Sequence, residues 1–124
     1  MTIDCVKIVS VPVRDPDRAK TFYCSVLGFD VLADVPMGPS QRWVQVGPKG
    51  GESSLTLVTW FEKMPPGSLK GLVLETSDVD ATRALVAERG AVPGEVQSAP
   101  WGRFFTLEDP DGNGLVVQES TAKV

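Results

Sequence analysis

One arrangement of residues occurs twice along this chain, and it restricts the folds open to it. Asp15 follows a valine- and isoleucine-rich segment, Val6 to Val13, and is itself followed by Pro16, Ala19, Phe22, Tyr23 and Val26. Asp78 follows a similar segment, Gly71 to Thr76. Thr82, Leu85 and Val86 lie as far beyond Asp78 as Ala19, Phe22 and Tyr23 lie beyond Asp15. A short β-branched apolar run predicts a buried strand. The aspartate that comes next is suited to cap a helix, and Pro16 fits the first helical position, where a missing N–H costs nothing. Residues at helical spacing then form one apolar face, and Gly28 and Gly90 supply the stops.

The segments beyond the two helices repeat as well. In the first half, strands are expected near Phe29–Val35, Arg42–Val46 and Ser54–Trp60, parted by the turns Met37–Ser40 and Pro48–Gly51. In the second, they are expected near Gly94–Ser98, Arg103–Leu107 and Gly114–Glu119. Arg42-Trp43 before Pro48-Lys49-Gly50-Gly51 is mirrored by Arg103-Phe104 before Pro110-Asp111-Gly112-Asn113. The reading is an α+β chain of two βαβββ units: residues 1–60, a proline- and glycine-containing joint over 61–70, and residues 71–124. Neither unit alone can cover both its helix and its sheet, so the two are expected to pack as one domain.

The run Asp15-Pro16-Asp17-Arg18-Ala19-Lys20-Thr21-Phe22-Tyr23, then Leu27-Gly28-Phe29, and the late turn Asp109-Pro110-Asp111-Gly112-Asn113 resemble the vicinal oxygen chelate family. That family includes glyoxalase I, extradiol dioxygenases, fosfomycin-modifying enzymes and the bleomycin-resistance proteins. The resemblance covers nearly the whole chain. It implies two βαβββ repeats forming a curved mixed sheet, whose concave face holds a divalent metal in most of the enzymes.

The residues that would hold that metal are missing. The chain contains no histidine. The resemblance puts the ligands at Ile8 on the opening strand, at Gly71 on its repeat, at Val116 after the Asp-Pro-Asp-Gly turn, and at Ser54 or Thr56. Isoleucine and valine cannot coordinate a cation, glycine has no side chain, and a neutral hydroxyl alone is a poor ligand. Ile8, Gly71 and Val116 are expected to converge on one apolar spot, with no metal and no cofactor. Glu75 and Glu119 are the nearest carboxylates, too few for a divalent site.

Other chemistry is restricted as well. A serine or cysteine nucleophile would lack an imidazole base. No paired carboxylates fall on one strand face, and Glu75 is the best single candidate for a base. No catalytic residue is assigned. Cys5 and Cys24 form no zinc-binding pattern and are expected as buried free thiols. A net charge of −4 and a pI near 4.7 argue against a nucleic-acid partner. No apolar run approaches a membrane span, and the N-terminus lacks the features of a signal peptide, so a cytoplasmic location is expected.

What remains is ligand binding. Strand alternation puts Ser10 with Ile8 and Pro12, Thr56 with Ser54, Glu75 with Gly71 and Val73, and Gln118 with Val116. These residues would line an apolar cleft with a few polar groups. Trp101, in the turn Ala99-Pro100-Trp101-Gly102, is a candidate stacking surface, with Trp43, Trp60 and Phe104 beside it. Arg42 and Arg103, at equivalent places, are candidate anion anchors. The expected function is metal-independent binding of a drug or aromatic metabolite, as in antibiotic resistance, by a homodimer whose subunits cover each other's sheet edges. A glyoxalase- or dioxygenase-like metalloenzyme, or a cofactor-free isomerase or lyase on the same fold, is the alternative.

Overall fold

The computed structural model describes residues 2–121. In chain order the elements are β1 (Ile8–Pro12), α1 (Pro16–Thr21), a π-helical turn (Phe22–Val26), β2 (Asp30–Pro36), β3 (Arg42–Gly47) and β4 (Ser54–Val58). Then come β5 (Leu72–Glu75), α2 (Val79–Glu88), β6 (Gln97–Ala99), β7 (Gly102–Glu108) and β8 (Gly114–Ser120). The strands divide into two four-stranded mixed sheets of identical order, β1-β4-β3-β2 and β5-β8-β7-β6. In each, the opening strand runs parallel to the last strand of its unit and the remaining neighbours are antiparallel. The repeat in the sequence is thus a repeat of topology.

Both helices begin as their sequences require. The Asp15 carboxylate accepts from the N–H groups of Asp17 and Arg18, and Asp78 accepts from that of Ala81. Glu119 on β8 adds a cap from outside the helix, accepting from Val79 N at 2.9 Å. The first helix departs from a simple α pattern. After Thr21 it widens into the π turn, with Leu27 N donating to Phe22 O, before Gly28 ends it at a φ of 79°.

Alternation along the strands sends one set of side chains toward the helices. Val11, Val44, Val46, Leu55 and Leu57 from the first sheet join Phe105, Leu107, Leu115 and Val117 from the second. Ala19, Tyr23, Val79 and Val86 close this core from the helices. Each fully buried valine, leucine or phenylalanine contributes about 1.5–3 kcal/mol of apolar transfer free energy, so this face dominates cohesion.

Three local expectations are corrected. Cys5 is exposed and lies outside β1, which begins only where Ser54 is available as a partner to Ile8, and Cys24 is only half-buried. Strand β6 is the short segment Gln97–Ala99, because Gly94 makes a single isolated bond to Thr106 O before the strand begins. Arg42 and Arg103 are not free anion anchors. Arg42 pairs with Asp34 at 2.7 Å and with Asp17 at 2.8 Å, and Lys20 of α1 meets the same Asp34 at 2.7 Å. Arg103 forms a two-point pair with Asp80 at 2.7 and 3.0 Å. In each half, therefore, an arginine on the sheet ties down the acidic residue two places beyond the helix cap.

The two halves meet through the Asp109–Asn113 turn. Asn113, fully buried, donates from Nδ2 to Pro12 O at the end of β1 and to Asp109 Oδ2, both at 2.8 Å, and accepts from Leu69 N at 3.1 Å. Asp109 also accepts from the N–H groups of Asp111 and Asn113 and from the Tyr23 hydroxyl. Arg14 N donates to Asp111. This motif is a clasp between halves as well as a hairpin turn.

Candidate functional site

The strand register decides which positions correspond to the family's metal ligands. Ser10 pairs with Thr56, which pairs with Gln45; Val73 pairs with Val116, which pairs with Thr106. Thr56, and not Ser54, is therefore the counterpart of Val116. Its hydroxyl is buried and donates to Val44 O at 3.2 Å. Gly71 and Val116 line a common cavity of about 730 Å³, but Ile8 stands in the other sheet, paired with Ser54, and does not reach it. The expected convergence of all three is not found within one chain. Among the described residues no group of three His, Cys, Asp or Glu side chains could hold a metal ion. These residues do not fit a family-type divalent cation.

The first-sheet face turned away from α1 carries an ordered polar chain. Trp43 Nε1 donates to Gln45 Oε1 at 3.1 Å, and Gln45 Nε2 donates to Ser54 Oγ at 2.8 Å. The indole N–H can only donate, so it fixes which end of the Gln45 amide faces Ser54. Ser10 and Thr56 occupy the neighbouring rung with Gln45. The corresponding face of the second sheet carries Glu75, Gln118 and Phe104 on one rung. Glu75 accepts from Gln118 Nε2 at 3.2 Å, from Ser120 Oγ at 2.8 Å and from Ser120 N at 2.9 Å.

Sequence reasoning missed Gln45 and Ser120, whose roles depend on cross-strand partners. Alternation alone had a usable signal for Gln45, two residues beyond Trp43 and so on the same face. Of the remaining aromatic candidates, Trp60 lies past the end of β4 with its ring 6.1 Å from that of Phe61. Trp101, at the β6–β7 turn, is 59% exposed.

A second cavity, about 550 Å³, runs between the halves. It is lined by Val9, Phe29 and Leu55 from the first and by Leu72, Val73 and Leu74 from the second, with Ser54, Glu52 and Glu75 as polar members. Of the residues expected to bind ligand, only Glu75 lines either cavity. Trp43, Trp60, Trp101 and Phe104 line neither of these two cavities. They stand instead on or beside the open sheet faces.

Comparison with known proteins matches this arrangement. TnmS3, an antibiotic binding protein from Streptomyces sp. CB03234, superposes with a TM-score of 0.93 at 50% identity, over 98% of this chain and 99% of that one. A glyoxalase/bleomycin resistance protein from the same organism gives 0.84 at 50% identity, over 92% and 99%. The YetH protein of Bacillus subtilis (strain 168) is 36% identical over 90% of this chain and 94% of its own. The family model for the Glyoxalase/Bleomycin resistance protein/Dioxygenase superfamily matches residues 5–117. With its repeated βαβββ topology, the chain belongs to that superfamily.

Proposed function

We propose that this protein binds a small organic molecule without the help of a metal, and that it does so as a homodimer that withdraws the ligand from solution. The observation that carries this reading is the set of residues at the ligand positions: Ile8, Gly71, Val116 and a Thr56 whose hydroxyl is bonded to backbone. Around them the fold keeps sheet faces bearing neutral polar groups and aromatic rings, the mixture typical of small-molecule sites. The likeness to TnmS3, an antibiotic binding protein, supports a drug-like ligand. Trp43, Ser10 and Thr56 on one sheet, and Phe104, Glu75 and Gln118 on the other, are assigned to ligand recognition, with Trp60 and Trp101 at the margins.

The homodimer rests on the surfaces that one chain leaves open. Val35 and Val73 are each 51% exposed, and Trp101 more so. A second copy would cover such apolar groups and the sheet edges beside them. Glu75 is poorly placed to act as a base in a cofactor-free enzyme, because three donors already engage its carboxylate.

The test combines elemental analysis with a ligand screen read by tryptophan emission. Purified protein is expected to carry no stoichiometric transition metal, and chelators to leave its Tm unchanged. Planar drug-like compounds should quench tryptophan emission saturably, and light scattering should give twice the chain mass. Tightly held metal at unit occupancy, or no saturable ligand across a broad screen, would overturn the reading.

A further inference from the structure

We infer that the open face of the second sheet selects a planar aromatic ligand carrying an O–H or N–H donor, whose ring lies on Phe104 and whose donor meets Gln118 Oε1 beside it. The inference rests on the small-molecule reading above and deepens it by naming the chemistry of the ligand.

The polarity of one amide carries the assignment. Gln118 Nε2 lies 3.2 Å from Glu75 Oε1 and 3.1 Å from Ser120 Oγ. The Ser120 hydroxyl has one proton, which goes to Glu75 Oε1 at 2.8 Å, so toward Gln118 its oxygen can only accept. The Glu75 carboxylate likewise only accepts. Both neighbours therefore require the NH₂ end of the amide, because the reverse orientation would set a carbonyl oxygen against a carboxylate. Ser120 N, donating to Glu75 Oε2 at 2.9 Å, holds that carboxylate in place. Both amide protons are thus engaged, and what Gln118 has left to offer is an acceptor.

That acceptor is available. Among the described residues no hydrogen bond reaches Gln118 Oε1, and the oxygen is open to solvent. Gln118 stands directly opposite Phe104 in the β7–β8 pair, on the same side of the sheet, and both are half-buried. Side chains paired in this way are close enough to act on one ligand. A ring stacked on Phe104 satisfies the oxygen only if its rim carries a donor; a ligand carbonyl there would leave two acceptors facing each other without a proton.

Neighbouring amides do not make the same choice. Gln45, on the first sheet, has its oxygen engaged by Trp43 Nε1. Gln97 lies on the other side of Phe104, and among the described residues no hydrogen bond orients its amide. It can turn to a donor or an acceptor and does not discriminate.

Naphthol and its methyl ether share one ring system and differ in a single donor. Equilibrium dialysis of purified protein against each gives the ratio of their affinities. Gln118→Met is expected to lower the naphthol-to-ether ratio by about 2- to 10-fold, the range for one neutral hydrogen bond, with the ether bound as before. Phe104→Leu should weaken both probes alike and leave the ratio unchanged. Both positions lie outside the buried core, and the Tm of each variant confirms that it is folded.

An unchanged ratio in Gln118→Met, undiminished binding of both probes in Phe104→Leu, or no binding of either probe to wild type would each overturn the assignment. Saturable quenching of tryptophan by other planar compounds would then still uphold ligand binding. Its absence would remove both.

Discussion

The Tyr23 hydroxyl donates a 2.8 Å hydrogen bond to Asp109 Oδ2, joining the π turn of the first half to the closing turn of the second. Tyr23 is fully buried, and its ring is in contact with those of Phe22 and Phe29. Burial, and after it the neighbouring Asp109 charge, raises its pKa far above the ordinary tyrosine value. A group whose folded pKa is raised contributes stability that is intact below its unfolded pKa, about 10, and is lost as pH climbs beyond it. Because this is the only tyrosine in the chain, tyrosinate absorbance reports on it alone. Native protein is expected to show no tyrosinate signal until it unfolds in alkali. Tyr23→Phe should cost about 0.5–1.5 kcal/mol and remove that link, whereas a tyrosine titrating freely near pH 10 in folded protein would contradict the geometry.

Asn113 is the more sensitive half of the same clasp. Its side chain satisfies Pro12 O, Leu69 N and Asp109 Oδ2 at once, and no smaller or apolar residue can serve all three. Leaving buried polar groups unpaired costs about 1–3 kcal/mol each. Asn113→Leu is accordingly expected to lower stability by about 2–4 kcal/mol in urea melts, with loss of a single cooperative transition if the halves separate.

Gly67 lies where the joint between halves passes the same turn. Its φ is 85°, and a Cβ there would collide with the carbonyl oxygen of Asp111. Both features exclude an ordinary side chain. Gly67→Ala should destabilise by more than the roughly 1 kcal/mol that separates glycine from alanine in regular structure, measured by denaturant unfolding. Gly50 also has a positive φ but open space around it, so Gly50→Ala should be milder.

The periodic part of this molecule was legible in the sequence, since Asp15, Asp78 and the apolar residues after them state strand and helix directly. The clasp was not. Asp-Pro-Asp-Gly-Asn reads as a hairpin turn, and nothing near it in sequence shows that Tyr23, Pro12 and Leu69 will meet it in space. Arg42 and Arg103 misled for the same reason: an arginine on a strand looks available until the helix packed against it supplies Asp17 or Asp80. The polar chain through Gln45 also required the strand register, because its partner Ser54 lies across a turn. Local pattern sets the elements, while long-range polar partners become visible only when the sheets are assembled.

The ion-pair chain on the first sheet sets an acid limit. Hydrogen bonds from Arg42, then Lys20, hold the Asp34 carboxyl well below the usual carboxylate range, and Arg42 does the same for Asp17. Depressed carboxyl pKa values contribute stability that is present above the unfolded value, about 4, and is lost as pH falls through the folded value. Stability should therefore decline below about pH 4. Asp34→Asn should flatten that acid limb, and Arg42→Ala should cost about 1 kcal/mol at neutral pH because these pairs are partly solvated. Melts of both variants across the acid range provide the check, and an unchanged acid limb in Asp34→Asn would show that other carboxylates control it.

Trp101 separates ligand binding from folding most cleanly. Its ring is 59% exposed, while its backbone carbonyl accepts from Thr121 N, a bond that truncation of the side chain leaves in place. Phe104, three residues on, stands on the adjoining open face of β7 in the same rung as Gln118. A planar ligand can stack on the exposed Trp101 ring, and aromatic pairs are worth about 0.5–1.5 kcal/mol beyond the area they bury. Trp101→Ala is expected to weaken a planar ligand found by fluorescence screening by at least that amount, measured by calorimetry. An exposed position away from core features should change stability by no more than about 0.5 kcal/mol. A large fall in Tm would instead mark the ring as structural, covered by a second copy of the chain, and would move ligand recognition away from this turn.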